Sequence, residues 1–255
     1  MKKFLSSTYM AIILLFMYIP IVALIILSFN SSKYMSTWTG FSFRWYGQLL
    51  SSTIIKDALR NTLIIAFLSA TIATILGTVA SIGINNMKKM PKTITMGITN
   101  IPMLNAEIVT AISLMLVFIA IGLKLGFLTI LIGHITFNLP YVILSVMPRL
   151  KQTEISTYEA ALDLGASPFK AFMKVVLPDI MPGVTSGFLL AFTMSLDDFV
   201  ITHFTKGSGI NTLSTLIYSE VRKGIKPSLY ALSTIMFITV IIILFIANKP
   251  KKSEQ

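Results

Sequence analysis

The sequence predicts an all-α membrane protein with six transmembrane helices. Hydrophobic residues make up 55% of the 255-residue chain, charged residues make up only 12%, and the mean hydropathy is +0.81. In soluble domains, about a quarter of the residues are charged. Apolar runs of about 20 residues, the length that crosses a bilayer as a helix, recur between polar segments. The composition excludes a soluble domain, and the spacing of the runs predicts a single transmembrane domain over residues 1–255.

Short polar segments separate the six predicted spans. These spans cover residues 9–29, 61–84, 93–123, 127–147, 182–202 and 229–247. The first is longer than the apolar core of a signal peptide and lacks a suitable cleavage site, which predicts a retained span. The third is too long for one straight crossing. Within it, Pro102 is followed by Asn105 and Glu107, which predicts a helix broken at the proline that lines a pathway.

Basic residues predict which ends of the spans lie in the cytoplasm. Lys88, Lys89 and Lys92 fall in one short connection, and further lysines follow the last span. Cytoplasmic loops are enriched in Lys and Arg. We therefore expect both termini and the loop 150–181 in the cytoplasm. The net charge of +11 is spread over all loops, which favours contact with anionic membrane lipid and argues against nucleic-acid binding.

The sequence offers little for catalysis, cofactors or metals. It contains no Cys and two His, so thiol chemistry and a His-built metal site are excluded. It has no G-x-x-x-x-G-K-[ST] phosphate loop, so we expect no ATP hydrolysis and no cofactor in this chain. His134 is interpreted as a packing residue with satisfied hydrogen bonds rather than as a proton relay. An integral-membrane enzyme would need polar residues clustered at one interface, and the sequence has few.

Three acidic residues, Glu107, Asp197 and Asp198, fall inside the predicted spans, whereas none of the 21 Lys and Arg residues does. A carboxylate in a bilayer is costly without a partner or a wet cavity. Counted from the cytoplasmic ends of their helices, Glu107 and Asp197 reach a similar height of roughly 21–22 Å. We predict that Glu107 and one of the aspartates line a pathway for a cationic cargo. The alternative is that both aspartates cap the outer end of the fifth span in water.

The segment between the fourth and fifth spans is patterned as a helical hairpin. The residues Ser156 to Glu159 fit a capping box, and Gly165 is suited to end this first helix in a left-handed conformation. The pair Ser167-Pro168 is typical of a second helix start. Pro178 and Pro182 predict the end of that second helix. Periodicity alone is equally consistent with an amphipathic hairpin on the membrane surface.

This segment resembles the EAA loop of ABC importer permeases. The residues that carry the resemblance are Glu159, Ala160, Ala161, Gly165, Leu177 and Pro178. In that family the loop is a cytoplasmic coupling helix that docks into a groove on the ATPase. The resemblance therefore implies the type I ABC importer permease fold, coupling through residues 156–178, and a transport subunit that is not itself an enzyme. Asp179 departs from the family pattern, in which an apolar residue follows Leu177-Pro178.

Further residues resemble the spermidine/putrescine branch of these permeases, and its second permease subunit in particular. They are Trp45-Tyr46, Ser195 to Phe199, and the stretch from Leu213 to Arg222 with Gly224 and Pro227. The resemblance implies ATP-driven polyamine import across the cytoplasmic (inner) membrane of a prokaryote. It implies a heterodimer with a homologous second permease, two copies of an ABC ATPase and an extracytoplasmic polyamine-binding protein.

Two other functions remain open at this point. Permease branches for iron(III) and thiamine share much of the pattern, so the substrate could be another cation or small solute. A gradient-driven secondary cation transporter would use the same intramembrane carboxylates without any ATPase. Uptake that depends on the ATPase partner distinguishes the importer from the secondary transporter.

Overall fold

The computed structural model describes residues 2–32, 37–223 and 227–247. Gly224 and the lysines after the last span lie outside the described residues. The described chain is almost entirely helical, as predicted. The helices are α1 (Lys2–Ser28), α2 (Arg44–Ser51), α3 (Thr53–Asn85), α4 (Lys89–Leu104), α5 (Glu107–Ala120), α6 (Phe127–Gln152), α7 (Ile155–Asp163), α8 (Pro168–Ala171), α9 (Leu177–Asp197), α10 (Val200–Thr205), α11 (Leu213–Arg222) and α12 (Pro227–Ala247). A π-helical turn, Phe172–Val176, joins α8 to α9.

Four helical stretches in the described part of the chain are long and apolar enough to cross a membrane. They are Thr8–Ser28, Thr53–Asn85, Phe127–Gln152 and Pro168–Asp197. A fifth crossing is present if α4 and α5 are counted as one broken span, since these helices are bent by 104°. The stretch Pro227–Thr239 of α12 is apolar but shorter. The described residues thus contain four or five helices of spanning length, against six predicted spans.

The described residues within 1–57 and 216–255 form one compact unit, in which α12 packs against α1 and α2. Buried Trp45 donates from Nε1 to the backbone carbonyl of Asn30 at 2.6 Å. Phe29 stacks on Phe41 with ring centroids 5.1 Å apart and meets Phe43 edge-on at 5.5 Å. These contacts fix α2 to the end of α1. The aromatic segment after the first span is therefore held by specific packing and not only by its amphipathic character.

Residues Ala58–Thr215 form a second compact unit, whose core lies between α3, α6 and α9. The buried core residues are Ala70, Ala73, Val142, Val146, Leu150, Ile180 and Ala191. Helices α6 and α9 lie so close that a Cβ at Gly183 would be 2.8 Å from the carbonyl oxygen of Ser145. Small residues permit such close approach of membrane helices. This packing positions the 156–178 segment at one end of α9 and the acidic residues at the other.

The third predicted span is broken, but the break does not lie at Pro102. Helix α4 continues through Pro102 to Leu104, and the chain leaves the helix at Asn105 and Ala106. Proline removes its own N–H donor, but the residues after it still have theirs, so a helix can finish its turn. Here the N–H of Asn105 donates to the carbonyl of Ile101 at 3.1 Å and closes that turn.

The second helix of the 156–178 segment does not end at Pro178 or Pro182, so that prediction is wrong. Helix α8, the π-helical turn and α9 form one helical stretch, Pro168–Asp197. Pro178 lies in the first turn of α9, and the N–H of Leu177 donates to the carbonyl of Phe172, five residues back. This wider π-helical turn accommodates the ring of the following proline. The segment and the fifth span are consequently one continuous helix.

Candidate cation pathway and coupling segment

Helix α9 ends at Asp197, and the two aspartates at this end have different surroundings. The chain leaves the helix at Asp198 and Phe199 before the short helix α10 begins. Asp197 is exposed, whereas the side chain of Asp198 is only 4% exposed. These two candidates, which are adjacent in sequence, are therefore separated by the tertiary structure.

The carboxylate of Asp198 caps the first turn of α10. Its Oδ2 accepts from the N–H of Thr202 at 2.8 Å and from Thr202 Oγ1 at 3.0 Å, and its Oδ1 accepts from the N–H of Ile201 at 3.3 Å. A carboxylate in this position satisfies free N–H groups and interacts favourably with the helix dipole. For Asp198 the alternative, a carboxylate that caps the outer end of the fifth span in water, is wrong, because this carboxylate is buried and caps α10 instead.

His134 of α6 contacts the same carboxylate from the opposite side. The ring is 2% exposed, and Nε2 lies 3.3 Å from Asp198 Oδ2 and 2.8 Å from Thr202 Oγ1. Nδ1 lies 2.5 Å from Ser195 Oγ, which in turn lies 3.1 Å from Ser69 Oγ on α3. Both ring nitrogens have partners, as expected for a packing histidine with satisfied hydrogen bonds.

Sequence reasoning did not identify Ser69 or Thr202 as members of this network. Single hydroxyl residues are common in membrane helices because they bond to the carbonyl one turn earlier, so they carry little signal. One signal was available: Thr202 follows Asp198 by four residues, the spacing that places two side chains on one helix face.

Glu107 begins α5 directly after the break that follows α4, and it is exposed. Helix α5 packs against α10, and a small buried cluster joins α5, α6 and α10: Ala111, Phe137 and Ile201. This packing brings Glu107 into electrostatic range of Asp197 and Asp198. Of the three predicted acidic residues, Glu107 and Asp197 are exposed, whereas the Asp198 carboxylate is bonded inside the protein. Two exposed carboxylates near each other attract cations.

The 156–178 segment turns at Gly165, as the sequence predicts. Gly165 has a φ of +83°, its N–H donates to the carbonyl of Leu162 at 2.9 Å, and the N–H of Ala166 donates to the carbonyl of Ala161 at 3.1 Å. This pair of hydrogen bonds is a Schellman motif, which ends a helix with a left-handed residue. The role of Gly165 in ending the first helix is confirmed.

The two helices of this segment begin differently from each other. The second begins as predicted: Pro168 occupies the first turn, and Ser167 Oγ accepts from the N–H of Lys170 at 3.4 Å. The first, α7, already begins at Ile155, with Glu154 as N-cap and no side-chain cap hydrogen bond. The predicted capping box is therefore wrong, because Ser156 lies inside the helix and its hydroxyl cannot occupy the cap position.

Several large apolar side chains on this segment are exposed. Within residues 156–178, Leu164 is 89% exposed and Phe169 is 74% exposed, and the adjacent Ile155 is 69% exposed. The residues that carry the EAA resemblance are exposed or half-buried: Glu159, Ala160, Ala161, Gly165, Leu177 and Pro178. Leu164 lies outside the helical stretches of spanning length, where an exposed apolar side chain marks a surface that another protein can cover.

Residues 1–249 match the family described as binding-protein-dependent transport system inner membrane component. The chain belongs to this family of permeases. The permease is 39% identical to the spermidine/putrescine transport system permease protein PotC of Escherichia coli (strain K12), over 92% of this chain and 89% of the relative. It is 41% identical to the putrescine transport system permease protein PotI of the same organism, over 91% of this chain and 85% of the relative.

A solved structure confirms the fold of the permease. It is the crystal structure of a bacterial ABC transporter involved in the import of the acidic polysaccharide alginate, with a TM-score of 0.72. The match covers 97% of this chain and 94% of that chain at 14% identity. The ABC importer permease fold implied by the EAA resemblance is thus confirmed, and the chain is an inner-membrane component of a binding-protein-dependent transport system.

Proposed function

We propose that this permease is a subunit of an ATP-driven ABC importer that carries polyamines, spermidine or putrescine, across the cytoplasmic membrane. The observation that carries the proposal is that Glu107 and Asp197, both acids of the predicted spans, are exposed and lie within electrostatic range of each other. Polyamines are extended molecules with ammonium groups at separate positions, so two carboxylates can bind one molecule. The identities of 39% and 41% to polyamine permeases support the same substrate class.

Each acidic residue has a distinct role in this proposal. Glu107 and Asp197 pair with the ammonium groups of the cargo, since both are exposed and no Lys or Arg falls in the predicted spans. Asp198 contributes negative potential to the same site from its buried position. Because an intramembrane carboxylate without a partner is costly, the passing cation supplies the charge compensation that the chain itself lacks.

The 156–178 segment couples the permease to ATP hydrolysis. Its exposed apolar side chains, Leu164 and Phe169 among them, dock onto an ABC ATPase that binds ATP and Mg²⁺. Movement of the docked segment is transmitted along the continuous helix Pro168–Asp197 to the acidic site. The complete importer contains a homologous second permease, two ATPase copies and an extracytoplasmic binding protein, with both termini of this chain in the cytoplasm.

The test is uptake of labelled spermidine and putrescine by cells that lack other polyamine importers and express this chain with its partner subunits. Glu107→Gln and Asp197→Asn should each remove most of the uptake while the complex still assembles, because both neutral side chains keep the shape and lose the charge. Asp57→Asn, a neutralised carboxylate that is exposed on α3, is the matched control and should transport normally. Full uptake by both site variants would refute the cation pathway.

The alternatives are separated in proteoliposomes that contain the purified complex. Uptake should require ATP and the ATPase, and it should persist when ionophores collapse the ion gradients. A gradient-driven transporter would show the opposite dependence. Excess unlabelled thiamine or iron(III) should leave polyamine uptake unchanged, and competition by either would place the chain in a different substrate branch.

A further inference from the structure

The buried network around His134 joins four helices at the point where α9 breaks. His134 lies on α6, Ser69 on α3, Ser195 near the end of α9 and Thr202 on α10, and Asp198 lies in the break itself. Ser69, Ser195 and Thr202 are each buried as well. A satisfied polar network of this kind can specify one arrangement of packed helices, because any other arrangement leaves buried polar groups unpaired.

The oxygens of Asp198 are occupied by partners inside the protein. Oδ2 accepts hydrogen bonds from the N–H and the hydroxyl of Thr202, and His134 Nε2 lies 3.3 Å from it. Oδ1 accepts a hydrogen bond from the N–H of Ile201. The neutral Nε2–H tautomer of His134 suits this arrangement, since Nε2–H donates towards Asp198 and Thr202 while Nδ1 accepts from the Ser195 hydroxyl. The carboxylate therefore has little capacity left for a cargo ammonium group.

We propose that His134 is a positioning residue for polyamine transport. By binding Asp198 from α6, it keeps this carboxylate inside the protein as the cap of α10, and it thereby presents Asp197 together with Glu107 to the cargo. The inference rests on the proposed function. Without His134, the buried carboxylate loses its partner on α6, and the break between α9 and α10 is no longer held in one geometry.

Two neutral variants of His134 make a matched pair. The amide nitrogen of Gln reaches the position of Nε2 and can donate to Asp198, whereas the shorter amide of Asn reaches the position of Nδ1 and cannot. His134→Gln should retain most of the spermidine uptake per assembled complex, and His134→Asn should lower it by about tenfold or more. Thr136→Val, on the exposed face of the same helix, is the control and should transport as the unaltered chain does.

Double variants separate positioning from direct cargo contact. If His134 acts through Asp198, the double variant His134→Asn/Asp198→Asn should transport no worse than the poorer of the two single variants. His134→Asn combined with Asp197→Asn should likewise be no worse than the poorer single variant, because without the Asp197 carboxylate His134 no longer has that group to present. If His134→Asn fails to assemble, the same cycle is measured with Ser195→Ala, which removes the partner of Nδ1.

The outcomes distinguish the two proposals. Polyamine uptake by the unaltered complex supports the proposed function independently of His134. The positioning role would be overturned if the uptake losses of His134→Asn and Asp198→Asn multiply in the double variant. It would also be overturned if His134→Asn and His134→Gln transport equally well. Either result would leave the proposal of polyamine transport intact. Absence of polyamine uptake by the unaltered, assembled complex would overturn the proposed function and this inference with it.

Discussion

Gly165 offers a test of the coupling segment in which backbone strain and bulk can be separated. The residue ends α7 with a φ of +83° and is exposed at the turn between the two helices. A Cβ added there meets no other atom within 4 Å. A Cβ at this position therefore meets no obstacle among the described residues. Two effects remain, namely the left-handed backbone and the space that a docked ATPase needs.

The magnitudes of the two effects differ among three variants. A left-handed backbone costs an L-residue other than Gly about 1–2 kcal/mol, which lowers the population of the native turn by a factor of roughly 5–30. Gly165→Ala carries this strain with little bulk. Gly165→Asn carries bulk with little strain, because Asn tolerates the left-handed conformation. Gly165→Leu carries both, and we expect it to abolish transport.

The assay is ATP-dependent spermidine uptake, normalised to the amount of tagged chain in the membrane and to the ATPase that co-purifies with it. All three variants should insert normally, since Gly165 lies outside the spans. We expect Gly165→Ala to retain partial uptake and Gly165→Asn to retain less. Normal uptake by Gly165→Leu would refute the assignment of this segment to coupling. Normal uptake by Gly165→Asn alone would show that strain, and not docking space, determines the effect.

Three further predictions concern packing and protonation. Gly183→Ala should lower the free energy of unfolding by about 1–3 kcal/mol, because the added methyl group overpacks against α6. Thermal unfolding in detergent measures this loss. Gly97→Ala is the control and should cause no such loss, because a Cβ there meets no atom within 4 Å. Trp45→Phe should lower the free energy of unfolding by about 1–3 kcal/mol, because the backbone carbonyl of Asn30 loses its indole donor. The same substitution at the exposed Trp38 should change the free energy of unfolding little. Burial lowers the pKa of Lys206, so its neutral amine should appear at a lower pH than that of an ordinary lysine. Mass spectrometry after pulse acylation at a series of pH values should therefore show half-maximal labelling of Lys206 at a pH below the pKa of an ordinary lysine.

Local sequence signals predicted the turn of the 156–178 segment but not the ends of its helices. Gly165 was predictable because few residues other than Gly adopt a left-handed helix end without cost. Pro178 misled because it lies in the first turn of α9, directly after a π-helical turn that changes the hydrogen bonding before it. Pro182 misled because α9 continues through it. The start of α7 was missed because its cap residue, Glu154, makes no side-chain cap bond that a motif could indicate.

The sequence alone determined the class of the protein, since apolar runs of spanning length and a shortage of charge leave few folds available. It also singled out the three acidic residues of the predicted spans, because a charge inside an apolar run needs a functional or structural reason. It could not distinguish Asp197 from Asp198, which are neighbours of the same chemical type. Only the tertiary structure separates them: His134, 64 positions before Asp198 in the chain, meets it across packed helices and buries it, while Asp197 stays exposed.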